Sequence, residues 1–343
     1  MSRLPLISPA AYRRITFLAL LALGFIIVTG GAVRLTGSGL GCPEFPNCEP
    51  GSLVPTDPTD THGMVEFVNR TITGLVSATV VLAVLGSLRR DPRRRDLTWL
   101  SLGLVAGVVG QIALGGLTVI FELSPPFVMG HFLLSLVLIA NAVVLHHRAG
   151  QPDGPGVTLL RGPTATLVRR VLPLAAAVAV VSGTVVTGTG PHGGDADVRR
   201  FGFDLDDVAR VHSLSVIAFI ALLLVALTRF GDGGAAATGT RGVAPVLTRR
   251  AQGLLAVATA QAVVGYAQYL TDVPVVLVGI HILGATLVWA AVIRLVVATT
   301  ARGGDAAPDG FGGPADARAV GPDAPPVGRR AVGDDVVLVN RST

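Results

Sequence analysis

Along this chain, long apolar runs alternate with short stretches rich in glycine, proline, aspartate or arginine. Eight runs reach spanning length, at roughly 15–35, 64–88, 97–120, 126–145, 169–189, 208–228, 251–270 and 273–294. About 20 helical residues cross the hydrocarbon of a bilayer. Separate apolar spans in lipid satisfy their backbone groups only as helices. The predicted fold class is therefore an all-α polytopic membrane protein with eight transmembrane helices. The first run follows Arg13 and Arg14 and lacks a small-residue cleavage site, so it reads as a retained helix and not a removed signal peptide.

The pattern also repeats. Gln111 and His131 stand 20 residues apart, as do Gln261 and His281, and in that register Gly115 meets Gly265 and Leu133 meets Leu283. Thr36-Gly37-Ser38-Gly39 closes the first run and Thr187-Gly188-Thr189-Gly190 the fifth. Val65-x-x-Val68-Asn69 opens the second run and Val208-x-x-Val211-His212 the sixth. A unit of four spans keeps its orientation when copied, so the expected architecture is two parallel-repeat four-helix bundles. The expected division is a cytoplasmic N-terminus at 1–14, a first half at 15–147, a cytoplasmic linker at 148–168, a second half at 169–299 and a disordered cytoplasmic tail at 300–343.

Composition agrees with a life in lipid. Half of the 343 residues are hydrophobic and only 14% are charged, against about a quarter in soluble domains. Mean hydropathy is +0.64. The net charge is +5, all 27 basic residues are arginine, and no run resembles a nucleic-acid patch, so no nucleic-acid partner is expected. Arginines 3, 13 and 14, then 89, 90 and 93–95, then 148, 161, 169 and 170, and finally 229, 241, 249 and 250 fill alternate loops. The excess of arginine places those loops, and both termini, in the cytoplasm of a cell whose plasma membrane holds the protein.

Chemistry concentrates near the opposite surface. His131, His212 and His281, with Asn69, fall at similar depth in the outer half of spans four, six, eight and two. Ionisable side chains inside a membrane are costly and usually functional. Neutral imidazole is a common axial ligand of haem iron. His212 and His281 can clamp one porphyrin between two helices; the first half offers His131 and, opposite it, only Asn69. Span two adds Glu66, which shares a helix face with Asn69. A carboxylate in a low-dielectric pocket is a candidate for proton transfer or for stabilising positive charge, or else for a structural ion pair. His62 lies on the same stripe, roughly 10 Å further out along the axis, at the pocket mouth. Arg34, Arg70 and Arg210 either pair with haem propionates or snorkel to the interface. Cys42 and Cys48 share the first outer loop, where a disulfide is the default. His146 and His147 read as solvated, and His192 sits in a loop of small residues near a cofactor edge.

Several of these motifs resemble one family. Gly30-Gly31-Ala32-Val33-Arg34-Leu35-Thr36-Gly37-Ser38-Gly39-Leu40-Gly41-Cys42-Pro43, with Cys48, is similar to the first-helix and first-loop signature of haem A synthases. Glu66-Phe67-Val68-Asn69-Arg70 resembles that family's Glu-x-x-His-Arg motif, and Gly188-Thr189-Gly190-Pro191-His192 its Gly-Pro-His stretch. The resemblance covers about residues 15–300. It implies an enzyme that oxidises the ring-D methyl group of haem O to a formyl group, giving haem A for aa3-type cytochrome oxidases. It implies a haem b cofactor between His212 and His281, substrate haem O ligated by His131, Glu66 as the catalytic carboxylate, and a Cys42–Cys48 disulfide. It makes contact with the farnesyl transferase that makes haem O plausible, and it is compatible with a homo-oligomer. Asn69 departs from the family pattern, which in many members has His there. That puts bis-His ligation of the substrate in doubt, though not the activity.

Two other classes compete. A membrane di-haem electron-transfer cytochrome needs two saturated haems on opposite sides of the membrane, whereas both pockets here lie on one side. A transporter of parallel repeats predicts broken helices near the midplane and leaves the first-loop signature unexplained.

Overall fold

A computed structural model of the chain describes residues 5–231 and 243–303. Arg3, Arg241 and the tail beyond 303 lie outside the described residues. The elements run α1 Pro9–Leu35, α2 Thr61–Arg89, α3 Arg95–Ile120, α4 Pro125–Ala149, β1 Gly156–Thr158, α5 Gly162–Thr189, α6 Leu205–Gly231, α7 Val243–Leu270, α8 Val275–Val297 and β2 Thr300–Arg302. All eight helices are long and apolar enough to cross a membrane. Many large apolar side chains face outward, among them Leu18, Phe25, Leu82, Val109, Val137, Leu174 and Val263. Such an exterior suits lipid and not water. The chain is a multi-pass membrane protein.

The helices overrun the apolar stretches that announce them, because hydropathy ends at the lipid surface while helical hydrogen bonding continues to the caps. Ser8 caps α1 by accepting from the Ala11 amide at 3.2 Å, with Pro9 just inside the helix. Asp60 caps α2 by accepting from the His62 amide at 3.1 Å. Arg89 and Arg148 stand in the last turns of α2 and α4, where a cation complements the exposed carbonyls. Helix α5 carries a π-helical turn at Leu167–Val171 that a periodicity of 3.6 does not reveal.

Within α1–α4, each helix packs on the next and α4 returns to α1; α5–α8 close in the same way. Thus α2 and α4 face each other diagonally, as do α6 and α8. Each set has its own core, built on Tyr12, Leu23, Val80, Leu104 and Ile139 in the first and on Leu172, Phe219, Leu223, Leu254 and Val292 in the second. Helix α8 packs on α1 and α4. Its Trp289 touches both cores and donates from Nε1 to the Leu136 carbonyl at 2.8 Å. Gly31 of α1 lies against Ile282 with little room for a side chain.

The turns joining α3 to α4 and α7 to α8 are built alike. Glu122 and Leu123 have φ of 48° and 55°, and Asp272 and Val273 have 59° and 55°. Leu123 N–H donates to the Thr118 carbonyl, and Val273 N–H donates to the Gln268 carbonyl, each at 2.7 Å. Left-handed φ is a genuine outlier for a β-branched residue such as Val273, so the tertiary contacts of this turn hold it there.

At the arginine-rich end a clasp ties the loops together. Arg90, with its side chain 1% exposed, donates to both Asp153 oxygens at 3.0 and 3.1 Å. Asp96 gathers Arg94, Arg148 and Arg302. β1 and β2 pair antiparallel, with Val157 opposite Ala301. Thr300–Arg302, which the expected division assigned to the tail, pairs with a strand in the linker. His146 and His147 are corrected as well. Both are half-buried; His146 Nδ1 meets Thr16 Oγ1 at 3.1 Å and His147 Nε2 meets the Gln151 amide at 3.0 Å.

Candidate functional site

The opposite end, which carries the disulfide, holds the chemistry. In the second half, His212 on α6 and His281 on α8 face each other across the diagonal. Their rings lie 6.4 Å apart, centroid to centroid, at an interplanar angle of 79°. Glycines make this room. A Cβ on Gly183 would stand 3.0 Å from His212 Cε1, and one on Gly265 would stand 3.0 Å from His281 Cε1. Ser182 Oγ meets His212 Nδ1 at 3.2 Å, which orients that ring and leaves Nε2 for another partner. Gln261 Nε2 donates to the His281 carbonyl at 2.8 Å.

The first half presents the same frame with different contents. Gln111 Nε2 donates to the His131 carbonyl at 3.0 Å, and the His131 ring lies against Gly115. Across the diagonal, α2 presents Asn69. His131 Nδ1, His281 Nδ1 and Asn69 Oδ1 are buried without a hydrogen-bond partner among the described residues. Buried polar atoms are nearly always satisfied, so such orphans call for an explanation.

A metal–imidazole bond of about 2 Å separates two ring centroids by roughly 6 Å when one metal lies between them, which the His212–His281 spacing fits. Among the described residues no three His, Cys, Asp or Glu gather to hold a bare ion. A pair of imidazoles suits a metal that brings its other ligands with it, as porphyrin iron does. The residues present therefore fit a haem in the second half. In the first half they offer one imidazole and an amide.

Glu66 is buried, and its partners are explicit. Oε2 accepts from the Cys42 amide at 2.8 Å; Oε1 accepts from Arg70 Nη2 at 2.6 Å and Nε at 3.1 Å. Arg70 also donates to the carbonyls of Cys42, Glu44 and Asn47. Cys42 and Cys48 are joined in a disulfide. One carboxylate and one guanidinium on a single helix face thus hold the disulfide loop to α2. The ion pair weighed for Glu66 is present. Oε1 thus fills both of its acceptor sites, and Oε2 keeps one.

Two of the three arginines considered as propionate partners or interface residues bond to backbone carbonyls. Arg70 is committed to the disulfide loop. Arg34 reaches across to the second half, donating from Nε to the His192 carbonyl at 2.6 Å and from Nη2 to the Thr187 carbonyl at 2.9 Å. Backbone carbonyls of a buried loop need donors as much as any carboxylate does. Only Arg210 is exposed, and it pairs with Asp207 at 3.1 Å. His192 acts as a strut: it adopts φ of 65°, and its Nε2 meets the Val273 carbonyl at 2.8 Å. His62 stands at α2's first turn, bonded through Nδ1 to Ser38 Oγ at 3.0 Å. It lines a cavity of about 340 Å³ between the first loop and Asp195-Ala196. A neighbouring cavity of about 460 Å³ is lined by Arg34, His192 and Arg200. Sequence reasoning passed over Arg200, which packs flat on Gly193; partial burial there lowers its pKa from the ordinary arginine value.

Known proteins give this geometry a family. Heme A synthase of Shouchella clausii is 29% identical over 144 residues, covering 42% of this chain and 47% of the relative. That of Halalkalibacterium halodurans is 29% identical over 152 residues, covering 43% and 50%. That of Alkalihalophilus pseudofirmus is 30% identical over 121 residues, covering 35% and 40%. The matched stretches span about half the length of these relatives or less. Residues 13–199, more than half of the chain, match the sequence profile of the cytochrome oxidase assembly proteins, and they carry the disulfide loop, Glu66, Asn69, His131 and the His192 strut; the chain belongs to that family.

Proposed function

We propose that the protein is a haem A synthase, oxidising the ring-D methyl group of haem O to a formyl group for aa3-type cytochrome oxidases. The observation that carries this reading is the unequal pair of side-chain sets at one end of the molecule: two facing imidazoles in the second half, and in the first half one imidazole on α4 and a buried carboxylate on α2. The relatives named above are heme A synthases, and the motifs of residues 30–70 extend the likeness to the residues of the site.

In this reading the two sets of four helices are parallel copies of one unit. Their matched turns and their matched Gln–His bonds support it. His212 and His281 hold haem b, which supplies one-electron redox chemistry when bound. His131 ligates the substrate haem O. Asn69 supplies a buried amide oxygen that accepts a hydrogen bond from water or from a substrate group. Glu66 presents negative charge toward a pocket of low dielectric, where it stabilises positive charge developing at the oxidised methyl carbon or accepts its proton. The Cys42–Cys48 loop, Arg70 and His62 cover the pocket from outside. Both termini are cytoplasmic, following the arginine bias of the loops. The farnesyl transferase that makes haem O is the natural neighbour.

The test is mass analysis of haem extracted from the purified protein after co-expression with a haem O source. Haem b together with haem O or haem A supports the reading. Two equivalents of haem b alone, with haem O available, would replace it with a di-haem electron-transfer cytochrome.

A further inference from the structure

The arginine-rich end contains a second feature that the haem chemistry does not use. Four arginines there share two carboxylates: Arg90 and Arg94 meet Asp153, and Arg94, Arg148 and Arg302 meet Asp96. A neighbouring group differs. Arg13 of α1, Arg250 of α7 and Arg294 of α8 make no ion pair among the described residues. They converge on His146 and His147 of α4. The charges bearing on His146 are Arg13 and Arg294; those bearing on His147 are Arg250, Arg148, Arg294 and His146, with no carboxylate in either set. Arg13 lies over Gly150, where a Cβ would stand 2.9 Å from its Nε. Arg250 Nη1 donates to the Arg294 carbonyl at 2.7 Å, drawing α7 and α8 together. Three guanidiniums and two imidazoles from both halves thus meet at one seam with no counterion among the described residues.

The apolar surroundings identify the missing anion. Phe17 is 48% exposed and its ring lies 5.4 Å from that of His146; Leu18 and Leu21 continue the exposed face of α1 away from the cations. A free phosphate has no use for such a face, whereas a phospholipid fills both parts of it. Basic pockets between transmembrane helices bind anionic headgroups in this way. We propose that the seam formed by Arg13, Arg250, Arg294 and the His146-His147 pair is a binding site for the phosphate of an anionic phospholipid, whose acyl chains lie along Phe17 and Leu21. The lipid acts as a non-covalent bridge between the two halves.

The experiment uses the full-length protein, purified with its haem complement from phosphatidylcholine vesicles with and without cardiolipin. Native mass spectrometry counts the cardiolipin retained. The wild type is expected to keep cardiolipin, and Arg13→Gln/Arg294→Gln to hold it about thirtyfold more weakly, at the usual contribution of one basic residue near a charged membrane surface. Arg14→Gln/Arg249→Gln removes the same charge outside the seam and should leave retention largely intact. If the double variant does not survive purification, Arg294→Gln alone should weaken retention about fivefold. Equal retention by wild type and seam variant overturns the proposal. So does equal loss in the control pair, which means charge without a site, or displacement of cardiolipin by millimolar inorganic phosphate, which means a site for free anions.

Discussion

The two ends of the diagonal in each half make the instructive comparison. In the second half α6 and α8 bring His212 and His281 to 6.4 Å, both packed against glycine. In the first half α4 brings His131 to the same place with the same Gln–carbonyl bond and the same kind of turn before it. The partner helix α2 then differs at two positions. Asn69 stands where the other half has His212, and Glu66 stands where it has Ala209. Glu66 in turn draws in Arg70 and the disulfide loop. The second half therefore has two facing imidazoles, and the first has one imidazole, an amide and a buried carboxylate tied to its arginine. A saturated iron site favours electron transfer, and an unsaturated one beside a carboxylate favours chemistry on what it binds.

Substitutions that erase or exaggerate this difference test it. The largest effect is expected from Glu66→Gln, which keeps the volume and a carbonyl oxygen for the Cys42 amide but removes the charge. Conversion of haem O should fall by roughly 10²–10⁴-fold, the usual range for a lost acid–base group, with haem b content unchanged; product analysis by mass reads both, and near-normal turnover would remove Glu66 from the chemistry. Asn69→His makes the first half resemble the second. A second nitrogen donor opposite His131 should convert the substrate-site haem to a low-spin spectrum, and an unchanged spectrum would mean that Asn69 does not face the iron. Replacing both Cys42 and Cys48 by Ser opens a short loop and should cost about 2 kcal/mol of stability, read as a lower unfolding midpoint with the His212–His281 spectrum intact. The smallest effect belongs to His192→Ala, which removes one hydrogen bond between the loop and the α8 turn and should cost about 1 kcal/mol. A large loss of haem in that variant would make His192 more than a strut.

Much of the fold was legible because lipid enforces it. Eight apolar runs became eight helices, and the 20-residue Gln–His spacing became a hydrogen bond in each half. The helix ends were not legible from hydropathy, since Ser8, Asp60 and the arginine turns continue the helix in polar surroundings. His131, His212, His281, Glu66 and Asn69 stood out because polar groups inside a membrane are rare. The roles of Arg34 and His192 did not stand out. Arg34 bonds to a carbonyl 158 residues away and His192 to one 81 residues away, and nothing local in the sequence encodes such partners. Arg70's partners were not legible either: it bonds to the loop carbonyls of Cys42, Glu44 and Asn47, 23 to 28 residues away in the chain.

The central claim is that the two halves have become a cofactor clamp and a substrate pocket. The most direct measurement is haem content and type in His281→Ala beside His131→Ala, each purified from cells supplied with haem O. The account predicts that His281→Ala loses haem b and keeps haem O, while His131→Ala keeps haem b in low-spin form and loses haem O. Loss of the same haem in both variants, or of neither, would contradict it.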